Sequence, residues 1–193
     1  MTDKLDLASA VRFAQRAEEL GYSALWVPET TGRDPLVHLG YLGACTERLS
    51  LVTGIANISN RHPGATRQAA LTLAEQTDDR FVLGLGVSHA HIVDQVRGLD
   101  YTRPIARLGA YLAEMAASPY TAASDVEAPP LVLAALGPRM LEFAAARAAG
   151  AHIYFGTVEH AAGARDKLQD GQWLCVEQKV VLADDPERAR NRR

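Results

Sequence analysis

The stretch Phe81-Val82-Leu83-Gly84-Leu85-Gly86-Val87 decides the fold class of this 193-residue chain. It is continuously apolar and does not alternate with polar residues, which is typical of a strand buried on both faces. The strands that share this apolar character are predicted at 24–27, 49–55, 81–87, 131–136, 151–155 and 174–182. Alanine-rich stretches of helical period separate them, so the sequence predicts a parallel sheet covered by helices.

The helices are predicted at 7–20, 36–47, 63–76, 104–117, 139–149 and 159–168. Gly21 and Gly150 stand where a helix ends and a strand follows, which fits a (β/α) barrel or a doubly wound sheet. No Gly-x-Gly-x-x-Gly follows the first strand, so the dinucleotide-binding sheet lacks its best marker. A barrel needs eight strands. We therefore expect one domain over 1–193, either a doubly wound sheet or an incomplete barrel with about six of the eight strands.

Composition indicates an ordinary globular protein and excludes few classes of function. Hydrophobic residues make up 48%, charged residues 22%, and the formal net charge is −3. This balance offers no electrostatic basis for binding nucleic acid or an anionic membrane. The only clearly basic cluster is formed by the arginines of 188–193; acidic neighbours offset their charge, so we expect a solvated helix there. Cys45 and Cys175 are expected to be free thiols in a reducing compartment. No signal peptide or membrane-length apolar run is evident, so we expect a cytoplasmic protein.

Five segments, taken in order, resemble the bacterial luciferase-like family, especially its branch that depends on coenzyme F-420 (F420). They are Glu-Glu-Leu-Gly-Tyr-Ser-Ala-Leu-Trp-Val-Pro-Glu at 18–29, Leu-Val-Thr-Gly-Ile-Ala-Asn at 51–57, His-Pro-Gly-Ala at 62–65, Gly-Leu-Gly-Val-Ser-His at 84–89 and Ala-Ala-Leu-Gly-Pro-Arg at 134–139. The resemblance implies a TIM-like barrel with the cofactor at the carboxyl ends of the strands. It also implies that the family's first and last strands are missing, which would leave open sheet edges and favour a homodimer.

The second strand carries the first group of candidate cofactor residues. In enzymes of the resembling family, the position of Gly54 and Ile55 holds a non-proline cis peptide that supports one face of the flavin or deazaflavin ring. The alternative is an ordinary glycine at a strand end. The resemblance assigns Asn57 to the ring's polar edge, because an amide both donates and accepts hydrogen bonds. The alternative for Asn57 is a structural residue of a turn.

The ends of the first and third predicted strands carry the candidate catalytic residues, Glu29 and His89. Glu29 and Thr30 stand where the family often has Asp-His near the ring and substrate, and this departure argues against histidine-based proton transfer from that loop. Ser88 and His89 are matched to the cofactor's ribityl-phosphate side or to the entrance of the site. His89 is proposed as a general acid or as a partner of an anion. His89 and His91 also read as His-x-His, but no further ligand accompanies them, so no metal is expected.

Leu136, Gly137, Pro138 and Arg139 join a strand to a helix and form the candidate phosphate site. The free N–H groups of a helix start and its dipole attract anions, and Arg139 adds charge. The alternative is a simple helix start with proline in its first turn.

The last two strands carry polar residues without an assigned role. Glu177 and Lys179 alternate along the last strand, so one face directs a carboxylate into the barrel, where it needs a partner. The alternative is a strand edge that faces solvent. We interpret His152 and Tyr154 as structural residues or as part of the lining of the site.

These observations predict an oxidoreductase or monooxygenase that uses F420, or alternatively FMN, to transfer a hydride to a small organic substrate or to oxidise it. The protein would supply orientation and a dry pocket, and the cofactor the redox chemistry. The alternatives are a non-catalytic flavin-binding relative and an inactive barrel fragment.

Overall fold

The computed structural model describes residues 2–123, 125–185, 187 and 190. Its strands are β1 (Ala24–Val27), β2 (Ser50–Thr53), β3 (Ala56–Asn57), β4 (Phe81–Gly86), β5 (Leu131–Ala134), β6 (Gly150–Tyr154) and β7 (Trp173–Glu177). Its helices are α1 (Leu7–Glu19), α2 (Pro35–Ala44), α3 (Pro63–Gln76), α4 (Pro104–Ala117), α5 (Pro138–Arg147) and α6 (Val158–Arg165). Apart from Glu187 and Arg190, the expected solvated helix at 187–193 lies outside the described residues.

The strands form one parallel sheet in the order β1-β2-β4-β5-β6-β7, and the short strand β3 pairs with β4. A helix lies between most consecutive strands, which is the arrangement of a (β/α) barrel. β1 and β7 stand at the two ends of this strand order. The prediction of an incomplete TIM-like barrel with six main parallel strands is therefore confirmed.

The outer face of the sheet carries the hydrophobic core. Leu51, Leu83, Leu85, Leu133 and Ile153 are completely or almost completely buried there, in one cluster with apolar residues of the helices. Burying one such side chain stabilises the fold by about 1.5–3 kcal/mol. The alternating residues of each strand point to the opposite, inner face, as the period of two requires.

Glycines of β4 occupy the inner face at its most crowded point. A Cβ atom on Gly84 would lie 1.8 Å from the carbonyl oxygen of Thr53, and one on Gly86 would lie 2.8 Å from the Cβ of Ala134. The Leu-Gly alternation of this strand therefore has a steric cause, because leucine faces the helices and only glycine fits within the barrel. The carboxyl ends of all six strands lie at one edge, which we call the carboxyl-terminal rim.

Most element boundaries agree with the sequence prediction, and the differences have local causes. The predicted strand 49–55 is interrupted after Thr53, and Ala56–Asn57 continues separately beside β4. The predicted strand 174–182 ends at Glu177, because its partner β6 ends at Tyr154, opposite Glu177. The predicted loop 88–101 contains a π-helix, His91–Val96.

Candidate functional site

A buried ion pair links the loop after β1 to the turn after β3 at the rim. Arg61 donates to both carboxylate oxygens of Glu29, with N–O distances of 2.9 and 2.7 Å, and also to Asp34 at 2.9 Å. The side chains of Arg61 and Glu29 are only 11% and 8% exposed. Burial opposes the charged form of Arg61, but hydrogen bonds and charge from Glu29 and Asp34 prevail and raise its pKa. Both oxygens of Glu29 are therefore engaged within the protein.

Asn57 lies against this ion pair and presents a free donor. Its backbone N–H donates to Oε2 of Glu29 at 2.5 Å, and its side-chain Oδ1 accepts from the N–H of Ser59 at 3.0 Å. Asn57 is 3% exposed, and its Nδ2 atom has no hydrogen-bond partner. It is in register with Gly86, so it belongs to the inner face. A buried, unpaired amide donor costs about 1–3 kcal/mol, and a ligand oxygen or nitrogen would satisfy it.

The peptide bond between Gly54 and Ile55 is cis, as the resemblance implies. The backbone N–H of Glu29 donates to the carbonyl of Ile55 at 3.2 Å, so this bulge is tied to the end of β1. The side chain of Trp26 packs directly against Gly54, where a Cβ atom would lie 3.1 Å from the indole ring. Glu29, Ile55 and Asn57, predicted separately, thus form one connected group.

The polar atoms of Thr30 are used to hold the loops of the rim together. Its hydroxyl donates to Asp3 at 2.5 Å, and its carbonyl accepts from Arg97, the residue that follows the π-helix, at 3.0 Å. The hydrogen bond from Thr30 is the main reason why the pKa of Asp3 is lowered. Thr30 therefore connects the amino-terminal segment, the loop after β1 and the π-helix.

Ser88 and His89 follow β4 on the neighbouring part of the rim. Ser88 has a φ of +61°, a left-handed conformation that non-glycine residues rarely adopt and that is found preferentially at functional sites. Its carbonyl accepts from the hydroxyl of Tyr101 at 3.3 Å. His89 is exposed, and its ring meets the edge of Tyr154 with centroids 6.0 Å apart. His89 thus follows the end of β4 and reaches the side chain of Tyr154 at the end of β6.

The segment from Leu136 to Arg139 begins α5 and is exposed along its length. Gly137 is the N-cap, no side chain caps the helix, and the space where Gly137 would carry a Cβ is open. Nε2 of His160 lies 2.9 Å from the carbonyl of Leu136, which suits a tautomer that donates from Nε2. Pro138 has no N–H, and the N–H groups of Met140 and Leu141 donate to the carbonyl of Gly137 at 3.1 and 3.0 Å, which leaves those of Gly137 and Arg139 at this exposed helix start. Among the described residues, no hydrogen bond or ion pair joins this segment to Glu29, Ile55 or Asn57.

A second polar group lies on the inner face, around His152. The imidazole stacks on the indole of Trp26, with centroids 5.1 Å apart and planes inclined by 25°. Its Nε2 lies 3.8 Å from Oε2 of Glu177. Burial lowers the pKa of His152, because it disfavours the charged imidazole. The carboxylate of Glu177 at 3.8 Å does not compensate for this effect. Burial also raises the pKa of Glu177, against the opposing charge of Lys179.

Sequence reasoning missed Arg61 and Trp26 and gave His152 little weight. An arginine in the turn after β2 was a usable signal, because a carboxylate at the end of the adjacent strand needs a buried cation. No comparable signal pointed to Trp26 and His152, which lie on strands distant in sequence. In the described part of the chain, no three metal-ligating side chains come together, and no helix is long and apolar enough to cross a membrane.

Two curated mycobacterial relatives share part of this chain. A Mycobacterium tuberculosis protein named as a coenzyme F420-dependent oxidoreductase is 35% identical over 96 residues, covering 50% of this chain and 28% of that protein. The phthiodiolone/phenolphthiodiolone dimycocerosates ketoreductase of Mycobacterium bovis is 33% identical over 148 residues, covering 65% of this chain and 39% of that protein. The chain thus spans well under half the length of these relatives.

Solved structures share the fold at low sequence identity. The coenzyme F420-dependent tetrahydromethanopterin reductase of Methanopyrus kandleri superposes with a TM-score of 0.73 at 20% identity, covering 88% of this chain and 58% of that one. An F420-dependent secondary alcohol dehydrogenase, bound to an F420-acetone adduct, gives 0.74 at 16% identity, with coverages of 90% and 65%. A Pseudomonas putida Baeyer-Villiger monooxygenase component in complex with FMN gives 0.74 at 12% identity, with coverages of 99% and 68%.

The match to the family as a whole is longer than the matches to these two single relatives. The family described as luciferase-like monooxygenase matches residues 1–193, which is the whole chain. The five segments, the parallel barrel topology and this match agree. The chain belongs to the luciferase-like monooxygenase family.

Proposed function

We propose that this protein binds F420 at the carboxyl-terminal rim and transfers a hydride between it and a small organic substrate. The observation that carries the proposal is the buried, unpaired Nδ2 of Asn57 on the inner face. A donor in this position fits a planar ring with carbonyl and nitrogen atoms along its edge. When bound, the cofactor supplies the hydride chemistry, and the protein supplies binding, orientation and electrostatics.

In this proposal, different residues of the rim bind and orient different parts of the cofactor. Gly54 and Ile55 support one face of the ring, and Asn57 donates to its polar edge. Glu29 does not need to transfer protons in this proposal, because both of its oxygens already hold Arg61 and the backbone of Asn57. Its role is to keep Asn57 in place.

The phosphate end of the cofactor lies farther along the rim in this proposal. The exposed helix start at Gly137, between Leu136 and Pro138, offers backbone donors, and Arg139 adds positive charge. Ser88 and His89 stand nearer the middle of the rim. His89 serves at the entrance as a partner for an anionic group or as a general acid. Thr30 fixes the loop that borders the ring.

F420 is preferred to FMN because the mycobacterial relative named above carries F420 in its name. FMN remains the alternative, since the neighbour from Pseudomonas putida binds it on the same fold. Monooxygenation is the corresponding alternative reaction. A non-catalytic binder is a third candidate, and an inactive fragment a fourth. The cofactor affinity and the turnover distinguish all four.

The deciding experiment is titration of the purified chain with F420 and, separately, with FMN, followed by the fluorescence of the cofactor. We expect binding at micromolar concentration. Asn57→Ser keeps an oxygen that can cap the turn at Ser59 but removes the amide donor, so it should weaken binding about tenfold, as loss of one hydrogen bond implies. Gln15→Ser removes an amide on α1, outside the rim, and serves as the control. Equal affinity of all three proteins would contradict the assignment of Asn57, and no binding of either cofactor would refute the proposal.

We also propose a cytoplasmic homodimer. β1 and β7 are the terminal strands of the sheet, and exposed apolar side chains such as Tyr22 near β1 and Val176 on β7 accompany them. Unpaired strand edges favour association. Sedimentation equilibrium at micromolar concentration tests this, and a monomeric mass would contradict it.

A further inference from the structure

An apolar groove lies between α1 and the terminal strand β1. It has a volume of about 400 Å³. Phe13, Leu20 and Tyr22 line it, and each of these side chains is more than half exposed. Leu25 of β1 and the charged side chain of Arg16 complete the part used below, and we call this surface the β1 groove. Large apolar side chains that are exposed together mark an interaction surface, whereas single ones do not.

The backbone of β1 is unpaired on its outer edge. The carbonyl oxygens of Ser23 and Val27 accept hydrogen bonds from the chain of β2 and the residue after it, at 3.0 and 2.8 Å. Since successive residues of a strand alternate in the direction of these groups, the N–H and C=O of Ala24 and Trp26 point to the other edge. Among the described strands, only β2 pairs with β1. A free edge of this kind is a template for one more strand.

The segment 179–183, Lys-Val-Val-Leu-Ala, has the sequence of a strand but no strand partner. Its apolar and β-branched residues favour a strand, and the sequence predicts one up to residue 182. In the structure β7 ends at Glu177, and among the described residues no backbone hydrogen bond involves Val180, Val181 or Leu182. Their side chains are 80%, 44% and 91% exposed. The strand-forming tendency of this segment is therefore unfulfilled within the described chain.

The alternation of this segment fits the β1 groove. In an extended chain Val180 and Leu182 point to the same side, and Val181 points to the opposite side. The two most exposed of the three side chains therefore share one face. A strand laid along the free edge of β1 directs such a face into an adjoining apolar groove, as in other cases of strand addition.

The charges at the two surfaces are complementary. Asp184 and Asp185 follow Leu182 closely and are exposed. Arg16 lines the β1 groove, and its ion pair with Glu19 at 2.9 Å is exposed on both sides. Exposed pairs of this kind are weak, so Arg16 can exchange its partner for another carboxylate at little cost.

We propose that the segment 179–183 of a second copy of this chain adds to the free edge of β1 and inserts Val180 and Leu182 into the β1 groove. The exchange is reciprocal, so two copies form a closed dimer with two identical contacts. Backbone hydrogen bonds to Ala24 and Trp26 supply affinity, and the groove supplies specificity. The inference rests on the proposed homodimer and deepens it by naming the contact.

A second copy is the partner of choice because the chain itself carries both halves of the contact. The apolar segment and the acidic residues after it meet an apolar groove and an arginine of the same sequence. The contact also reaches the proposed cofactor site. Trp26 presents its backbone to the free edge, while its indole packs against Gly54. The added strand therefore holds the strand that supports the cis peptide.

Sedimentation equilibrium of single variants tests the contact. Leu182→Asp places a charge in an apolar groove, so the dissociation constant of the dimer should rise about tenfold or more. Tyr22→Asp, on the groove side, should have the same effect. Val158→Asp makes the same kind of change on α6, where the side chain is 81% exposed, and should leave the constant unchanged. Circular dichroism verifies that each variant is folded. A dissociation constant that Leu182→Asp leaves unaltered would overturn the proposal.

Mixing the two variants tests the exchange between copies. Leu182→Asp keeps an intact groove, and Tyr22→Asp keeps an intact segment. One of the two contacts thus remains intact in a mixed dimer, whereas neither variant alone can form one. At concentrations where each variant is monomeric, the mixture should contain heterodimers. A mixture that stays monomeric would contradict the reciprocal exchange.

Backbone amide exchange gives an independent measurement of the added strand. The amides of Ala24, Trp26 and the segment 179–183 should exchange more slowly as the protein concentration rises through the dissociation constant of the dimer. Protection that does not depend on concentration would place the pairing within one chain and would overturn the proposal.

The outcomes separate this inference from the proposed function. If the unchanged chain is monomeric, the homodimer and this contact fail together. If Leu182→Asp remains as dimeric as the unchanged chain, only the contact is refuted. Failure to bind F420 refutes the proposed cofactor and leaves the contact standing, because none of these measurements requires a cofactor.

Discussion

Replacement of Arg61 by methionine tests the buried ion pair that holds Asn57 at the rim. Arg61→Met preserves much of the side-chain volume but leaves Glu29, which is 8% exposed, without its bidentate partner. Removing one member of a buried pair costs about 3–5 kcal/mol, because a buried charge is left uncompensated. For a chain of this size each kcal/mol lowers Tm by about 2–4 °C, so the loss corresponds to about 6–20 °C.

Urea unfolding followed by circular dichroism measures this change, and the chain offers a matched control. Arg16 and Glu19 form an exposed pair at 2.9 Å, with side chains 66% and 63% exposed. Exposed pairs contribute less than about 1 kcal/mol, so Arg16→Met should be nearly neutral. Adding Glu29→Gln to Arg61→Met should restore part of the stability, since it removes the stranded charge. The reasoning is refuted if Arg61→Met costs no more than Arg16→Met.

Three further changes test the interior. Gly84→Ala should prevent soluble expression, whereas Gly163→Ala on α6 should not, since only at Gly84 would the new Cβ lie 1.8 Å from the Thr53 carbonyl. Tyr111→Phe should lower the free energy of unfolding by about 1–3 kcal/mol, because it removes the phenol that lies 2.5 Å from the buried hydroxyl of Thr66 and leaves that hydroxyl without this partner. An unchanged free energy of unfolding in urea would contradict this. The folded pKa of His152 lies below its ordinary value of 6.5, so stability should fall as pH drops from about 6.5 through that pKa. His152→Gln should make this dependence of stability on pH less steep. An equally steep dependence in the variant would show that His152 is not its cause.

The fold was largely predictable from the sequence, because continuous apolar runs indicate buried parallel strands and helical periodicity indicates amphipathic helices. The bounds of α3 and α4 agree with the prediction to the residue, since proline marks the first turn of each. The π-helix at His91–Val96 was missed, because its stability depends on contacts such as the one from Arg97 to the loop after β1. At the rim, the sequence predicted Glu29 and Asn57 separately but did not predict Arg61, the arginine that pairs with Glu29.

The sequence by itself determined the parallel sheet, the order of its elements and the family, because each rests on short-range periodicity or on segments that can be recognised in isolation. Only the tertiary structure decided which side chains meet. Glu29 and Arg61 are 32 residues apart in the chain, and Trp26 stacks on His152 across the barrel. The curvature of the sheet brings the inner faces of β1 and β6 together. No local sequence pattern predicts this contact, because it depends on how the whole sheet curves.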